Sequence, residues 1–319
     1  MLLVVTNKAD PHADELIRRL SSQNISVFRL NTEDFLRNYT MNLQVSFPEG
    51  WGGYIIDELG RELRLHELKV AWIRRPEYPF DSLDNEIAKF VNAEVRALLA
   101  CLYAIPSIRF INETFDAARA KTKFQQLILA VQLGVHVPRT IMTNNPLEIA
   151  KFAENANGDI LVKPIYTSNY SRNGSNHGIL SKRLSRNELE EIVHLAKNAP
   201  TQVQDYIEKD FELRITVVDN EVFAVRIDPQ KEESTRTDWR TNTLANPHFK
   251  FDLPENVVTF CKQFLTRQKL VYGAFDFIVD PNGVYYFLEN NPSGQFLWLE
   301  TQTGVEITEA LLTYICSQF

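Results

Sequence analysis

The chain has 319 residues, 44% hydrophobic and 24% charged, with a formal net charge of −7. That length accommodates two or three domains around a sizeable core, and the composition is ordinary for a globular protein. The acidic balance argues against broad, sequence-independent binding to nucleic acid. No stretch approaches the roughly 20 apolar residues of a membrane span, and the start at Met1 has neither the length nor the basic flank of a signal peptide. Cys101, Cys261 and Cys316 stand far apart in apolar contexts, and the six histidines form no pair at helical ligand spacing. Reduced core cysteines in a cytoplasmic protein, without histidine-based zinc chemistry, are the expectation.

In chain order, residues 2–6 read as a short buried strand, 10–23 as a helix and 27–30 as a second strand. This β-α-β opening predicts a small α/β domain. No Gly-x-Gly-x-x-Gly joins its first strand to its helix, so a dinucleotide fold is not supported. Strand-like runs follow at 41–47, 53–57 and 61–65, then a strand at 69–73 that ends in Arg74-Arg75-Pro76. Val91, Val95, Leu98, Leu99 and Leu102 recur at helical spacing and place a helix over 82–103. A strand at 108–112 closes a first domain, 1–112. A helix at 123–133, stopped by Gly134, opens a second, 113–205. Strands at 140–142 and 160–162 flank a helix at 146–155. Residues 166–178, rich in Ser, Asn and Gly, read as a mobile loop. Then come a strand at 179–182, a helix at 187–197 and β runs at 201–207, 211–218 and 222–227, the last two within a third domain, 206–319.

The densest chemistry lies near the C-terminus. Residues 273–280 and 284–292 flank a Pro281-Asn282-Gly283 turn and read as a hairpin. Alternation puts Glu289 and Asn291 on one face, and Asp276 on the paired strand reaches that face if the register is right. Two carboxylates and an amide oxygen are hard ligands that suit Mg²⁺ carrying nucleotide phosphates. The plain alternative is an edge hairpin with two solvated acids. An acid abutting the apolar run 285–288 favours the metal, because buried carboxylates are rare unless paired or metal-bound.

Lys163 ends a strand beneath the polar loop, where a lysine holds phosphates, although a snorkelling surface lysine has the same signature. No P-loop sequence occurs. Glu212 and Arg214 alternate along one strand and share a face. Arg226 sits in the apolar run 222–227, where a guanidinium is costly unless it meets an anion. Asp238-Trp239-Arg240 adds another arginine. These cations with the acid–amide set describe a polyanion site of the kind a phosphorylated intermediate needs.

In this order the motifs of 112–319 resemble the ATP-grasp ligases. The resemblance implies an α/β (α+β) ATP-grasp fold, with an N-terminal α/β pre-ATP-grasp domain, a central lid domain and a C-terminal antiparallel-sheet domain. It also implies that Lys123 and Lys163 hold the nucleotide and that Gln204, Asp205, Tyr206 and Ile207 form the adenine hinge. Glu212 would bind ribose, and Asp276, Glu289 and Asn291 would bind metal. Trp72 to Pro76, Glu212-Leu213-Arg214, Asp238-Trp239-Arg240 and residues 291–300 are similar to the graspetide macrocyclases of the microviridin, plesiocin and thuringinin type. Asn290 departs from that pattern, which has a small hydrophobic residue between the metal-binding Glu and Asn.

The narrower resemblance implies ATP- and Mg²⁺-dependent phosphorylation of Asp or Glu side chains in a ribosomal precursor peptide. Attack by Ser, Thr or Lys side chains on the acyl phosphate then closes ester or amide rings. Arg214 and Arg240 would steady the acyl phosphate and the oxyanion, and Arg226 would hold the acceptor carboxylate. Arg74 and Arg75 would meet the substrate. The leader of the leader–core precursor would dock on a helix at 185–198, through Glu188 and Glu191, unless these acids are simply a solvated face. A homodimer is expected, with no nucleic-acid or membrane partner. The competing enzyme is a ligase that adds free amino acids to a protein or peptide, as glutamate-adding ATP-grasp enzymes do. A non-catalytic peptide-binding module is the third reading.

Overall fold

The structure, a computed structural model, describes residues 1–23, 25–80, 85–166, 169–172, 175–178, 181–185, 188, 194–228 and 246–319. The unbroken apolar start becomes β1 (Leu2–Thr6), buried along its whole length, as a central parallel strand covered on both faces must be. Asp10 caps α1 (Pro11–Ser21) by accepting from the His12 N–H, and proline opens the first turn. Next come β2 (Val27–Asn31), α2 (Phe35–Asn38), and β3 (Tyr39–Ser46), β4 (Gly50–Asp57) and β5 (Glu62–Arg64), which form an antiparallel sheet. β6 (Val70–Ile73), α3 (Glu86–Tyr103) and β7 (Arg109–Ile111) complete a parallel sheet of order β2-β1-β6-β7.

Two helices, α4 (Thr114–Ala120) and α5 (Lys123–Gln132), lead into a smaller unit. It holds β8 (Thr140–Thr143), α6 (Pro146–Glu154), β9 (Ile160–Lys163), β10 (Asn169–Arg172), β11 (Ser175–Gly178), β12 (Lys182–Leu184) and β13 (Thr201–Asp205). Its antiparallel sheet has the order β12-β9-β13-β8. The expected loop at 166–178 contains the paired strands β10 and β11. Between them the sequence places Asn173-Gly174, a two-residue hairpin signal that outweighs polar composition. Of the strand expected at 179–182, residues 179 and 180 lie outside the described residues, and β12 begins at Lys182. Of the helix expected at 187–197, the described residues are Glu188 and the 3₁₀ turn His194–Lys197; Glu191 lies outside them.

The third unit is a five-stranded antiparallel sheet, β16-β15-β14-β17-β18, built from β14 (Phe211–Val218), β15 (Glu221–Ile227), β16 (His248–Lys250), β17 (Tyr272–Val279) and β18 (Tyr285–Asn291). α7 (Glu255–Gln268), which the sequence reading did not anticipate, covers one face of it. Phe260, Cys261, Phe264 and Leu265 pack there on Leu213, Ile215, Phe275, Phe277 and Phe287. The rings of Phe260, Phe264, Phe275, Phe277 and Phe287 stack edge-on or tilted, 5.2 to 6.3 Å between centroids. Each buried ring contributes about 1.5–3 kcal/mol, so this face is the rigid side of the sheet. Val218, Val225 and Ala274 on the other face join a core with α1, β1, α8 (Leu297–Thr303) and α9 (Ile307–Cys316). Among the described residues no helix is long and apolar enough to cross a membrane.

Candidate active site

On the face turned away from α7, the register lines up Arg214 of β14, Asp276 of β17 and Glu289 of β18 as direct cross-strand neighbours. Asn291 follows, opposite Ala274. A bulge makes this possible. Phe277 pairs with Phe287, whereas Asp276 pairs with Glu289, so Leu288 is an extra residue on β18. Strict alternation from the buried Phe287 would turn Glu289 and Asn291 into the phenylalanine core. One extra residue re-aims both to the other face.

Arg214 Nη1 donates to Asp276 Oδ1 at 2.8 Å and Nη2 donates to the Gln295 carbonyl at 3.4 Å. Its Nε–H is buried without an acceptor. An unsatisfied buried donor costs about 1–3 kcal/mol, and an anionic oxygen placed there would recover that cost. Lys123 Nζ stands 3.6 Å from Glu289 Oε2, both side chains partly exposed. The placement comes from α5: Gln126, one turn further on, donates to the Asn290 carbonyl at 2.9 Å and accepts from the Asn290 N–H at 2.8 Å. Asn291 Oδ1 is oriented by the Ser293 N–H at 3.0 Å. Asp276, Glu289 and Asn291 thus present oxygen donors on one face, a set that fits a hard divalent cation. Among the described residues no cluster of three or more His, Cys, Asp or Glu offers another such place.

Gln204, buried, accepts from Gln202 Nε2 at 3.2 Å. Asp205 receives both Arg139 Nε and Nη2, at 3.0 and 2.9 Å, and Tyr206 carries the Arg183 guanidinium 3.9 Å above its ring. The Tyr206 N–H donates to the Asp159 carbonyl at 3.0 Å, and Ile207 follows, half-buried. This fixes the 204–207 segment at the end of β13, ahead of β14 of the five-stranded sheet. Lys163 ends β9 opposite Gln202, its carbonyl accepting from Thr201 Oγ1 at 3.2 Å. Glu212 is buried in an ion pair with Lys209, a cation the sequence reading missed.

Two expectations change. Arg226 pairs in register with Leu213, and therefore sits on the face opposite Arg214. Its charge is met by Asp228, 2.6 Å away, and by the Phe211 ring at 4.0 Å. Arg74, expected to meet the substrate, is 4% exposed, flanked by the Trp72 and Phe296 rings, and donates to the Ser293 and Gly294 carbonyls at 3.4 and 3.2 Å. Arg75 is exposed, and its carbonyl accepts from Asn7 Nδ2 at 2.8 Å. Glu188 accepts from the Ser185 N–H and hydroxyl, at 2.9 and 2.8 Å, as a local cap. Arg240 lies outside the described residues.

Residues 118–315 match the RimK-like ATP-grasp domain, and residues 1–116 match the MvdD pre-ATP grasp domain. The chain belongs to the RimK-like ATP-grasp family and is an ATP-grasp ligase. A RiPP-associated ATP-grasp ligase of Chryseobacterium gregarium, solved in complex with ADP and a leader and core peptide, superposes with a TM-score of 0.90. It is 26% identical over 100% of this chain and 97% of that one. Macrocyclase MdnC from Microcystis aeruginosa MRC, bound with precursor peptide MdnA, gives 0.86 at 27% identity over 99% of both chains. Macrocyclase MdnB of the same organism, at 24% identity, 98% coverage of both chains and a TM-score of 0.79, shares the fold. No curated protein matches in sequence.

Proposed function

We propose that the protein is a graspetide-type peptide macrocyclase, acting in the cytoplasm as a homodimer on a ribosomal leader–core precursor. The observation that carries this reading is end-to-end similarity, pre-ATP-grasp unit included, to two enzymes solved in complex with such peptides. A ligase that adds free amino acids needs the same nucleotide groups, but nothing in the N-terminal match favours it.

In this reading a core Asp or Glu carboxylate attacks the γ-phosphate of ATP, giving an acyl phosphate and ADP. Asp276, Glu289 and Asn291 would hold Mg²⁺, which would supply charge neutralisation at the phosphates. Lys123, beside Glu289, and Lys163, at the end of β9, draw the phosphates between the sheet of β9 and the five-stranded sheet, and the 204–207 segment receives adenine. Glu212, paired with Lys209, accepts from ribose. Arg214, held by Asp276 and Gln295, offers its free Nε–H to the acyl phosphate and then to the tetrahedral oxyanion. A Ser or Thr hydroxyl, or a Lys amine, of the same peptide attacks the acyl carbon; phosphate leaves and the ring closes. Arg240 is a second candidate for that charge, and Arg226, across the sheet, has no part in it.

The test is the intact mass of a precursor peptide incubated with protein, ATP and Mg²⁺. Loss of one water per ring is expected. A mass gain equal to an added amino acid, when free amino acids are supplied, overturns the reading.

A further inference from the structure

The segment that follows the metal-side strand, residues 292–297, is held in large part by side chains of the first 112 residues, with Tyr272 Oη also donating to the Gly294 carbonyl at 2.8 Å. Asn112 Nδ2 donates to the Pro292 carbonyl at 2.8 Å. Arg74 Nη1 donates to the carbonyls of Ser293 and Gly294, at 3.4 and 3.2 Å. His12 Nε2 accepts the N–H groups of Phe296 and Leu297 at 3.0 and 3.1 Å. The same segment delivers the Ser293 N–H to Asn291 and the Gln295 carbonyl to Arg214.

We infer that His12 is a positioning residue for the ligase centre: its neutral imidazole, through a lone pair on Nε2, fixes the 292–297 segment and thereby orients Arg214 and Asn291. This rests on the proposed function for its activity arm only. The chemistry is one-way. A ring nitrogen that accepts two N–H groups must carry no proton, so the proton belongs on Nδ1, which lies 3.3 Å from Asp10 Oδ1. An imidazolium would offer Nε2–H to two other N–H donors and lose both bonds. The surroundings hold the neutral form. Burial pushes His12 below its ordinary value, and the Arg74 and Arg75 charges from the end of β6 add to this; Asp10, from its own helix cap, opposes them. The Phe296 ring meets the imidazole edge-on at 4.8 Å, so the far side brings no charge. A helix in the pre-ATP-grasp unit thus reaches across to the metal face by a contact that acid breaks.

Three proteins separate this from a packing role: wild type, His12→Gln, whose amide oxygen keeps an acceptor that cannot titrate, and His12→Leu, which keeps bulk alone. Hydrogen–deuterium exchange of the peptide spanning 292–299 reads the clasp without any turnover. Relative to His12→Gln, wild type should lose protection about tenfold or more as pH falls below about 6.5, and His12→Leu should lack it at every pH. ADP release with precursor should fall at least about tenfold in His12→Leu, be largely rescued in His12→Gln, and show an acid limb in wild type that His12→Gln shifts downward. Equal protection of 292–299 in all three proteins at every pH overturns the inference. So does an acid limb that is the same in wild type and His12→Gln. A wild type that forms no ring from any precursor, with the exchange pattern intact, instead removes the macrocyclase reading and leaves the clasp standing.

Discussion

Gly294 is the tightest point of the site, and adding one methyl there tests the whole arrangement. A Cβ built on it would lie 2.5 Å from Ala274 Cβ and 2.7 Å from Arg214 Nη2. Ala274 is fully buried on β17 and its methyl has nowhere to turn, so Gly294→Ala must displace the 292–297 segment, the strand or the guanidinium. Overpacking of this kind costs about 1–3 kcal/mol. With an unfolding entropy of roughly 2.1 cal/mol/K per residue, that is a fall in Tm of about 1.5–4.5 °C for this chain. Activity should suffer more than stability, because a shift of about 1 Å in a charge-stabilising group costs on the order of 100-fold in turnover. Pairing Gly294→Ala with Ala274→Gly separates the two contacts. The double variant removes the 2.5 Å clash but keeps the 2.7 Å one. Its Tm should recover most of the loss, less the ~0.5–1 kcal/mol cost of a strand glycine, and its turnover should not. ADP release with precursor and thermal unfolding, followed side by side, decide it. A Gly294→Ala protein with wild-type Tm and turnover would refute the placement of Arg214 against this segment.

Asn290 buries both side-chain polar atoms without partners, so the near-isosteric Asn290→Leu should raise stability by about 1–2 kcal/mol, read as a higher midpoint in urea. Asp276→Ala leaves the buried Arg214 guanidinium without its 2.8 Å ion pair; a loss of about 3–5 kcal/mol and of Mg²⁺-dependent ADP release should follow. Arg226→Ala, on the opposite face, should lower turnover far less than Arg214→Ala, within a few-fold against about 100-fold. Acid should destabilise the fold in two steps. For His12, the unfolded chain takes up a proton near pH 6.5 while the folded one resists, so stability present above about 6.5 is lost as pH falls. For Asp10, burial alone would raise the carboxyl, but hydrogen bonds from His12 and Thr6 and the Arg74 charge hold it well below the usual range. Its contribution is present above about 3.9 and lost as pH drops through the folded value. Tm of His12→Gln against wild type between pH ~7.5 and ~5 should show the first step flattened.

What could be read from the sequence was local. The Pro281-Asn282-Gly283 turn fixed the hairpin, and alternation correctly grouped Glu289 with Asn291. The bulge at Leu288 was invisible, because an extra residue leaves no mark on composition, and it decides which side of the sheet those oxygens reach. Arg226 failed for the same reason: its strand was clear, but only pairing with Leu213 assigns its face. Arg74 was assigned to the substrate because the carbonyls it serves lie 219 and 220 residues away. Asn112 and His12 hold groups 180 and 284 residues distant and were missed on the same ground. α7 had a legible repeat in Val257, Phe260, Cys261, Phe264 and Leu265, yet Pro254 at its start makes no side-chain cap that would have announced it.

The joint between α5 and β18 has one more consequence. Gln126 grips residue 290 through its main-chain N–H and C=O alone, so Lys123 and Glu289 are kept in step by a contact that takes no account of which residue stands between Glu289 and Asn291. Such a joint lets that position drift. An ill-fitting asparagine can occupy it at a cost in stability alone, and the geometry that carries the reaction is inherited unchanged.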